Sequence, residues 1–215
     1  MSECAEEMEK AARAQLAKLD AVFTQWALSD GRALQLLRHP GIGPFVAAAY
    51  IGAVGDITRF PSAKKVASYT GLVPRVHASG ETHYNGRITK AGRKELRHAL
   101  VQAAWVVIRC DRELGSFYGR IAKTRGSNKA IIAVARKIAV RLWHLMVEGT
   151  CDGLMSQERY VAKLGRLISS HARAYTAGRT IVATARAIAA RTDILEAAAQ
   201  IEPVALISPL SCGVT

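Results

Sequence analysis

RHPGIGPFVAAAYIGAV, residues 38–54, sets two glycines and two prolines ahead of an unbroken small and apolar run. Gly and Pro punctuate a chain, and an uncharged run from Phe45 to Val54 reads as a buried helix. Upstream, Leu34, Leu37 and Arg38 fit one short helix. The order is therefore helix, Gly-x-Gly turn, helix. Working outward from it, the chain reads as mainly α.

Glycines leave backbone N–H groups uncovered at a helix start, where a phosphate can dock. The pattern looks like a helix-hairpin-helix, a sequence-tolerant clamp on a DNA backbone, with Gly41 and Gly43 as its DNA-binding candidates. The same residues also fit a tight αα turn that serves packing alone, with Pro44 at the first helical position.

Before this motif, residues 2–28 read as one helix. Met8, Ala12, Leu16, Leu19, Phe23 and Trp26 recur at spacings of four and three. Such a heptad-like, coiled-coil-like stripe packs on its own domain or pairs with a second copy, giving a homo-oligomer. Ser29, Asp30 and Gly31 end it. After the motif, residues 56–62 read as a loop, and a helix from Ser62 through Val66 and Tyr69 ends at Gly71. Residues 72–77 and 81–88 are two runs fit to pair as one short β-hairpin, with Asn85–Gly86 as a turn signal. A long helix is expected from Thr89 or Lys90 to about Arg109. Others follow over 112–124 and from Ser127 or Asn128 to Val147. In the last of these Lys129, Arg136, Lys137 and Arg141 form a basic face opposite an apolar one. Residues 156–200 are Ala- and Arg-rich with helical periodicity, and 203–215 read as a tail. The expected domains are 1–30, 31–149 and 150–215.

The charge is regional. The chain carries a net +13, yet Thr58–Val147 alone holds 18 Lys and Arg against 4 Asp and Glu. The first 30 residues are mildly acidic. A basic middle favours a polyanionic partner, because each cation that neutralises a phosphate releases counterions. The four cysteines, Cys4, Cys110, Cys151 and Cys212, are far apart, which argues against a zinc site or a disulfide framework. No metal ligands are assigned. The N-terminus is acidic and amphipathic, unlike a signal peptide, and no run is long and apolar enough to span a membrane. A cytoplasmic protein is expected.

The densest cations lie in one stretch: Arg87, Lys90, Arg93, Lys94 and Arg97, just after Ser79–Gly80. On the expected helix, Arg93, Lys94 and Arg97 fill the first turns, where the helix dipole disfavours positive charge. An external phosphate would neutralise them, and these five are DNA-binding candidates. The bland alternative is a solvated basic face. Ser79 is the serine nearest them, and a hydroxyl needs a base to become a nucleophile. In an extended chain His77, Ser79, Glu81 and His83 share one face. Ser68, late in a helix, fits a hydrogen bond to its own backbone. Tyr69 and Tyr84 have no Arg–His constellation of the tyrosine-nucleophile kind around them.

Several spaced motifs together carry a likeness. They are Pro40-Gly41-Ile42-Gly43-Pro44, Asp56-Ile57-x-Arg59-Phe60, Ala67-Ser68-Tyr69-x-Gly71-Leu72-x-Pro74, Ser79-Gly80, and Ile88-Thr89-Lys90-x-Gly92-x-x-x-Leu96-Arg97. In this order they resemble the C-terminal domain of the 110/116/902 insertion-sequence transposases, to which the Piv DNA invertases are related. The likeness spans about Leu34 to Val147. It implies a two-part DNA recombinase whose N-terminal RuvC-like domain holds magnesium on four carboxylates, while this domain supplies a catalytic serine, here Ser79. It also implies a coiled coil between the two, dimers or tetramers on double-stranded DNA, a guiding bridge RNA, and a bacterial, nucleoid-associated setting. No acidic tetrad precedes the hairpin in this sequence. The expectation is therefore a serine domain that needs the RuvC-like domain, and its magnesium, from elsewhere. Two other functions fit the same residues: a non-catalytic helix-hairpin-helix DNA-binding module, and an assembly protein that pairs through residues 2–28.

Overall fold

In a computed structural model the chain is mainly α, and the structure describes residues 3–79, 82–176 and 178–201. Helices α1 (Glu3–Ser29), α2 (Gly31–Leu37), α3 (Pro44–Val54) and α4 (Ala63–Tyr69) come first. Strands β1 (Pro74–Ser79) and β2 (Thr82–Ile88) follow, then α5 (Lys94–Cys110), α6 (Arg112–Arg125), α7 (Ser127–Glu148), α8 (Gln157–His171) and α9 (Ile181–Ile201). The tail expected over 203–215 lies outside the described residues.

Local chemistry sets the early boundaries. Asp30 caps α2, its Oδ1 accepting from the Arg32 amide at 2.8 Å and the Ala33 amide at 3.3 Å. Pro44 opens α3, where a missing N–H costs no intrahelical bond. A single 3-10 turn, Ile57–Arg59, occupies the expected loop before α4. The Ala- and Arg-rich stretch divides into α8 and α9 around a second 3-10 turn at Arg173–Thr176.

One apolar core runs from Ala27 to Ala189. Its centre is α7, with Ile138, Leu142 and Leu145 fully buried against α2, α4, α5 and α6. Two tyrosines tie distant elements to it through their hydroxyls. Tyr50 donates to the Ala139 carbonyl at 3.1 Å, and Tyr160 on α8 donates to Leu34 at 2.9 Å. The C-terminal helices thus share the core of the residues before them. In α1 only the end joins it: Thr24, Ala27 and Leu28 are buried, whereas Met8, Leu16, Leu19 and Val22 stand in solvent.

Arg141 departs from the sequence reading. It lies 7% exposed, not on the solvated face with Arg136. It donates to Asp111 Oδ2 at 2.7 Å and to Glu113 at 2.5 Å. Asp111 Oδ1 meanwhile caps α6 at the Leu114 amide, 3.0 Å away. Burial raises the Asp111 pKa, but the Leu114 amide and the Arg141 guanidinium outweigh it and hold the carboxyl below its ordinary 3.8. A carboxylate lowered on folding adds stability above its ordinary value and loses it as pH falls through the folded one. Asp111→Asn should therefore cost about 2 kcal/mol near neutrality. In urea melts followed into acid, the gap between variant and parent should close below about pH 4.

Candidate nucleic-acid interface

β1 and β2 form an antiparallel hairpin in the register Pro74↔Ile88, Val76↔Asn85, His77↔Tyr84, Ala78↔His83 and Ser79↔Thr82. Asn85–Gly86 therefore lies inside β2, not at the chain reversal. Between Val76↔Asn85 and Pro74↔Ile88, β2 carries one residue more than β1. The Asn-Gly pair sits at that bulge, where an extra residue re-aims the strand. Ser79 is the last residue of β1. The reversal also undoes the expected common face of His77, Ser79, Glu81 and His83. They are not on one strand, and His83 is in register with Ala78 rather than Ser79. Gly80 and Glu81, and the side chains of His77, Ser79, His83, Tyr84 and Arg87, lie outside the described residues.

The chain leaving the hairpin does not enter a helix at once. The Thr89 amide donates to the Val73 carbonyl at 2.9 Å, and the Lys90 amide to Gly71 at 3.2 Å. Residues 89–92 are thereby pinned to the segment that enters β1. The two stretches nearly touch: a Cβ on Gly71 would stand 2.0 Å from the Ala91 oxygen, and one on Gly92 1.8 Å from the Tyr69 oxygen. Both glycines also have positive φ, +69° and +92°. Lys90 shares that left-handed region at φ +52°. The helix expected from Thr89 or Lys90 therefore begins at Lys94, with Arg93 as its N-cap residue.

The predicted cations divide accordingly. Lys90, Arg93 and Lys94 are exposed. Arg97 is half-buried, and its Nη1 donates to the Lys90 carbonyl at 3.2 Å and the Thr70 carbonyl at 3.4 Å. It braces the pinned loop as well as adding charge. The Tyr69 hydroxyl donates to the Ala53 carbonyl at 3.0 Å. Hydrogen bonding from Arg93, then from Arg59, draws that phenol below its ordinary value. Ser68 is exposed and donates to the Lys64 carbonyl at 3.0 Å, the backbone bond its helical position favours.

At the α2–α3 turn the two glycines differ. A Cβ on Gly41 would lie 2.5 Å from Val107 Cγ2, so this residue lets the turn press on α5. Around Gly43 nothing lies within 4 Å of such a Cβ, and this glycine is the N-cap residue of α3. Inside the turn sits a residue the sequence reading did not single out. Lys163 of α8 donates to the carbonyls of Leu37 at 2.6 Å, His39 at 3.2 Å and Ile42 at 2.6 Å. Burial works against that charge and pulls the ammonium down to about 7; the three carbonyls work for it. No sequence signal marks such a site, because its acceptors are backbone groups.

Comparison with known proteins points to one family. Residues 33–119 match the model of the family described as Transposase IS116/IS110/IS902 family. A probable family 20 transposase of Pseudomonas aeruginosa is 33% identical over 142 residues, 64% of this chain and 42% of that protein. The transposase for insertion sequence element IS1111A of Coxiella burnetii is 32% identical over 112 residues, 50% of this chain and 30% of that protein. A pilin gene-inverting protein of Moraxella bovis is 40% identical over 111 residues, 50% of this chain and 34% of that protein. The chain thus spans less than half the length of each. Over residues 33–119, under half of its length, the chain is similar to the IS116/IS110/IS902 transposase family.

Proposed function

We propose that this chain is the serine-bearing domain of a DNA transposase, and that Ser79 is the group that joins DNA covalently. The observation that carries the reading is the hairpin itself. It ends β1 at Ser79 and delivers the chain, through residues pinned to Gly71 and Val73, to Lys90, Arg93 and Lys94. Ammonium and guanidinium groups stabilise the charge that builds on phosphoryl oxygens during attack. In the proposed step, a bond forms between Ser79 Oγ and phosphorus while the bond to the departing sugar oxygen breaks. The serine proton passes to a base, and the departing oxygen takes up a proton.

Double-stranded DNA lies, in this reading, across the basic loop and the open Gly43 end of α3, a helix-hairpin-helix use of that turn. The exposed stripe of α1, with Met8 at 69% and Val22 at 62% exposure, pairs with a second copy. A bridge RNA and a place at the nucleoid belong to the same reading. No helix among the described residues is long and apolar enough to cross a membrane. Magnesium does not fit the described residues, among which no three His, Cys, Asp or Glu side chains converge. It is assigned to the RuvC-like domain, and no step here runs through it.

The test is to map a covalent adduct. The chain is mixed with the RuvC-like domain of a relative and a labelled duplex, then digested and sequenced by mass spectrometry. A nucleotide on the peptide containing Ser79 is the expected result. An adduct on another residue overturns the proposal, as does strand cleavage without any adduct.

A further inference from the structure

Beside the hairpin, α4 and the 3-10 turn before it enclose an open notch of about 420 Å³. Arg59, Lys65, Ser68 and Tyr69 line it, with the backbone of Ala91 and Gly92 on the far wall. We propose that this notch is a second phosphate-binding site, separate from Ser79, which seats one backbone phosphate of duplex DNA. The inference rests on the reading that the partner is nucleic acid, and adds where a strand is gripped away from the reacting bond.

The lining of the notch favours an anion. Arg59 is held against two rings, its guanidinium carbon 4.6 Å from the Phe60 ring centre and 4.9 Å from that of Tyr69. Contact with two rings places the group at the notch, where its remaining N–H donors can meet a phosphate oxygen. The Tyr69 hydroxyl commits its proton to the Ala53 carbonyl, so its oxygen can only accept, and the charges of Arg59 and Arg93 act on it. Two guanidinium groups therefore bear on one phenol, Arg59 through its ring contact and Arg93 through its charge. Lys65 adds a third cation from the exposed side of α4. Among the described residues, Arg59, Lys65 and Arg93 have no carboxylate within salt-bridge distance, unlike Arg32, Lys137 and Arg141. Asp56 acts on Arg59, but its Oδ1 is already taken by the amide and hydroxyl of Thr58.

A phosphodiester fits this chemistry better than a carboxylate side chain does. The notch presents planar and point-charge donors together with an open backbone wall at Gly92, which suits a tetrahedral anion on a continuous strand. It also adjoins Lys90 through the pinned loop, so a strand lying on the basic loop runs past it.

The experiment is equilibrium binding of the full chain to a fluorescein-labelled duplex of mixed sequence, read by anisotropy across a salt series. Arg59→Gln and Lys65→Gln should each weaken binding about tenfold at 0.1 M salt and flatten the slope of log K against log salt by about one. Lys18→Gln, on the exposed side of α1, should leave the slope as it is. Lys65 stacks on no ring, so its variant remains a fair test should Arg59→Gln disturb the fold. An unchanged slope in Lys65→Gln overturns the site, as does an equal loss in Lys18→Gln, which would mean net charge alone. A parallel series uses an RNA duplex of the same sequence; losses confined to RNA overturn the assignment to DNA. If the parent chain binds no duplex at all, the transposase reading of the previous section fails. If it binds and the notch variants do not weaken it, this site alone fails.

Discussion

Ser79→Ala is expected to abolish covalent capture of DNA while leaving duplex binding within about threefold of the parent. The expected loss is complete because no other group replaces the Oγ–phosphorus bond: without the hydroxyl the intermediate does not exist. Where an enzyme's nucleophile is removed, turnover falls on the order of a millionfold. Binding should persist because the cations proposed to grip phosphate are on a different element. Lys90, Arg93 and Lys94 follow the hairpin, and the pinned loop that holds them depends on Gly71, Gly92 and Arg97. Ser79→Thr keeps an oxygen but crowds it with a methyl group, and adduct formation should be slowed rather than lost. The assay is denaturing gel electrophoresis of the chain with labelled duplex and a relative's RuvC-like domain. Adducts that persist in Ser79→Ala would assign the chemistry elsewhere. A chain that binds duplex equally well with and without Ser79, and never forms an adduct, would be a DNA-binding module.

The parts of this structure that were legible in the sequence are those fixed by near neighbours. The α2–turn–α3 unit followed from Pro44 and the apolar run after it, and the α1 stripe from its spacing. The likeness of Asp56-Ile57-x-Arg59-Phe60 and its companion motifs to the transposases supplied the family. What escaped was fixed by groups far along the chain. α5 begins at Lys94 because residues 89 and 90 bond to Val73 and Gly71. Arg141 shares a helical face with Lys137, and its burial follows from Asp111 and Glu113, far back along the chain. Asn85–Gly86 carries a turn's chemistry, yet the register places it in a bulge because the strands pair outward from Ser79↔Thr82. Arg59 stood in the quoted motif without a role, since nothing local indicates that Tyr69 lies beneath it.

Lys163→Met should lower stability by about 3 kcal/mol, a fall in melting temperature on the order of 10 °C for a chain of this size. Methionine nearly matches the length and bulk of lysine but donates nothing. The carbonyls of Leu37, His39 and Ile42 would then face the interior without their shared ammonium. Leu37 ends α2, and its carbonyl is among those a helix leaves unpaired. Ile42 lies within the turn and is fully buried, so water has little access to replace the lost donor. Arg159→Met, four residues earlier on α8 and exposed, should change stability by less than about 0.5 kcal/mol. The effect has a functional arm, because the ammonium holds the turn that leads into Gly43, the N-cap residue of α3. If that end contacts DNA, Lys163→Met weakens duplex binding at temperatures where the variant is still folded. Differential scanning calorimetry reads the first arm and anisotropy the second. A melting temperature equal to the parent's would mean that the three bonds contribute nothing net, and that α8 is held by Tyr160 and its apolar face alone.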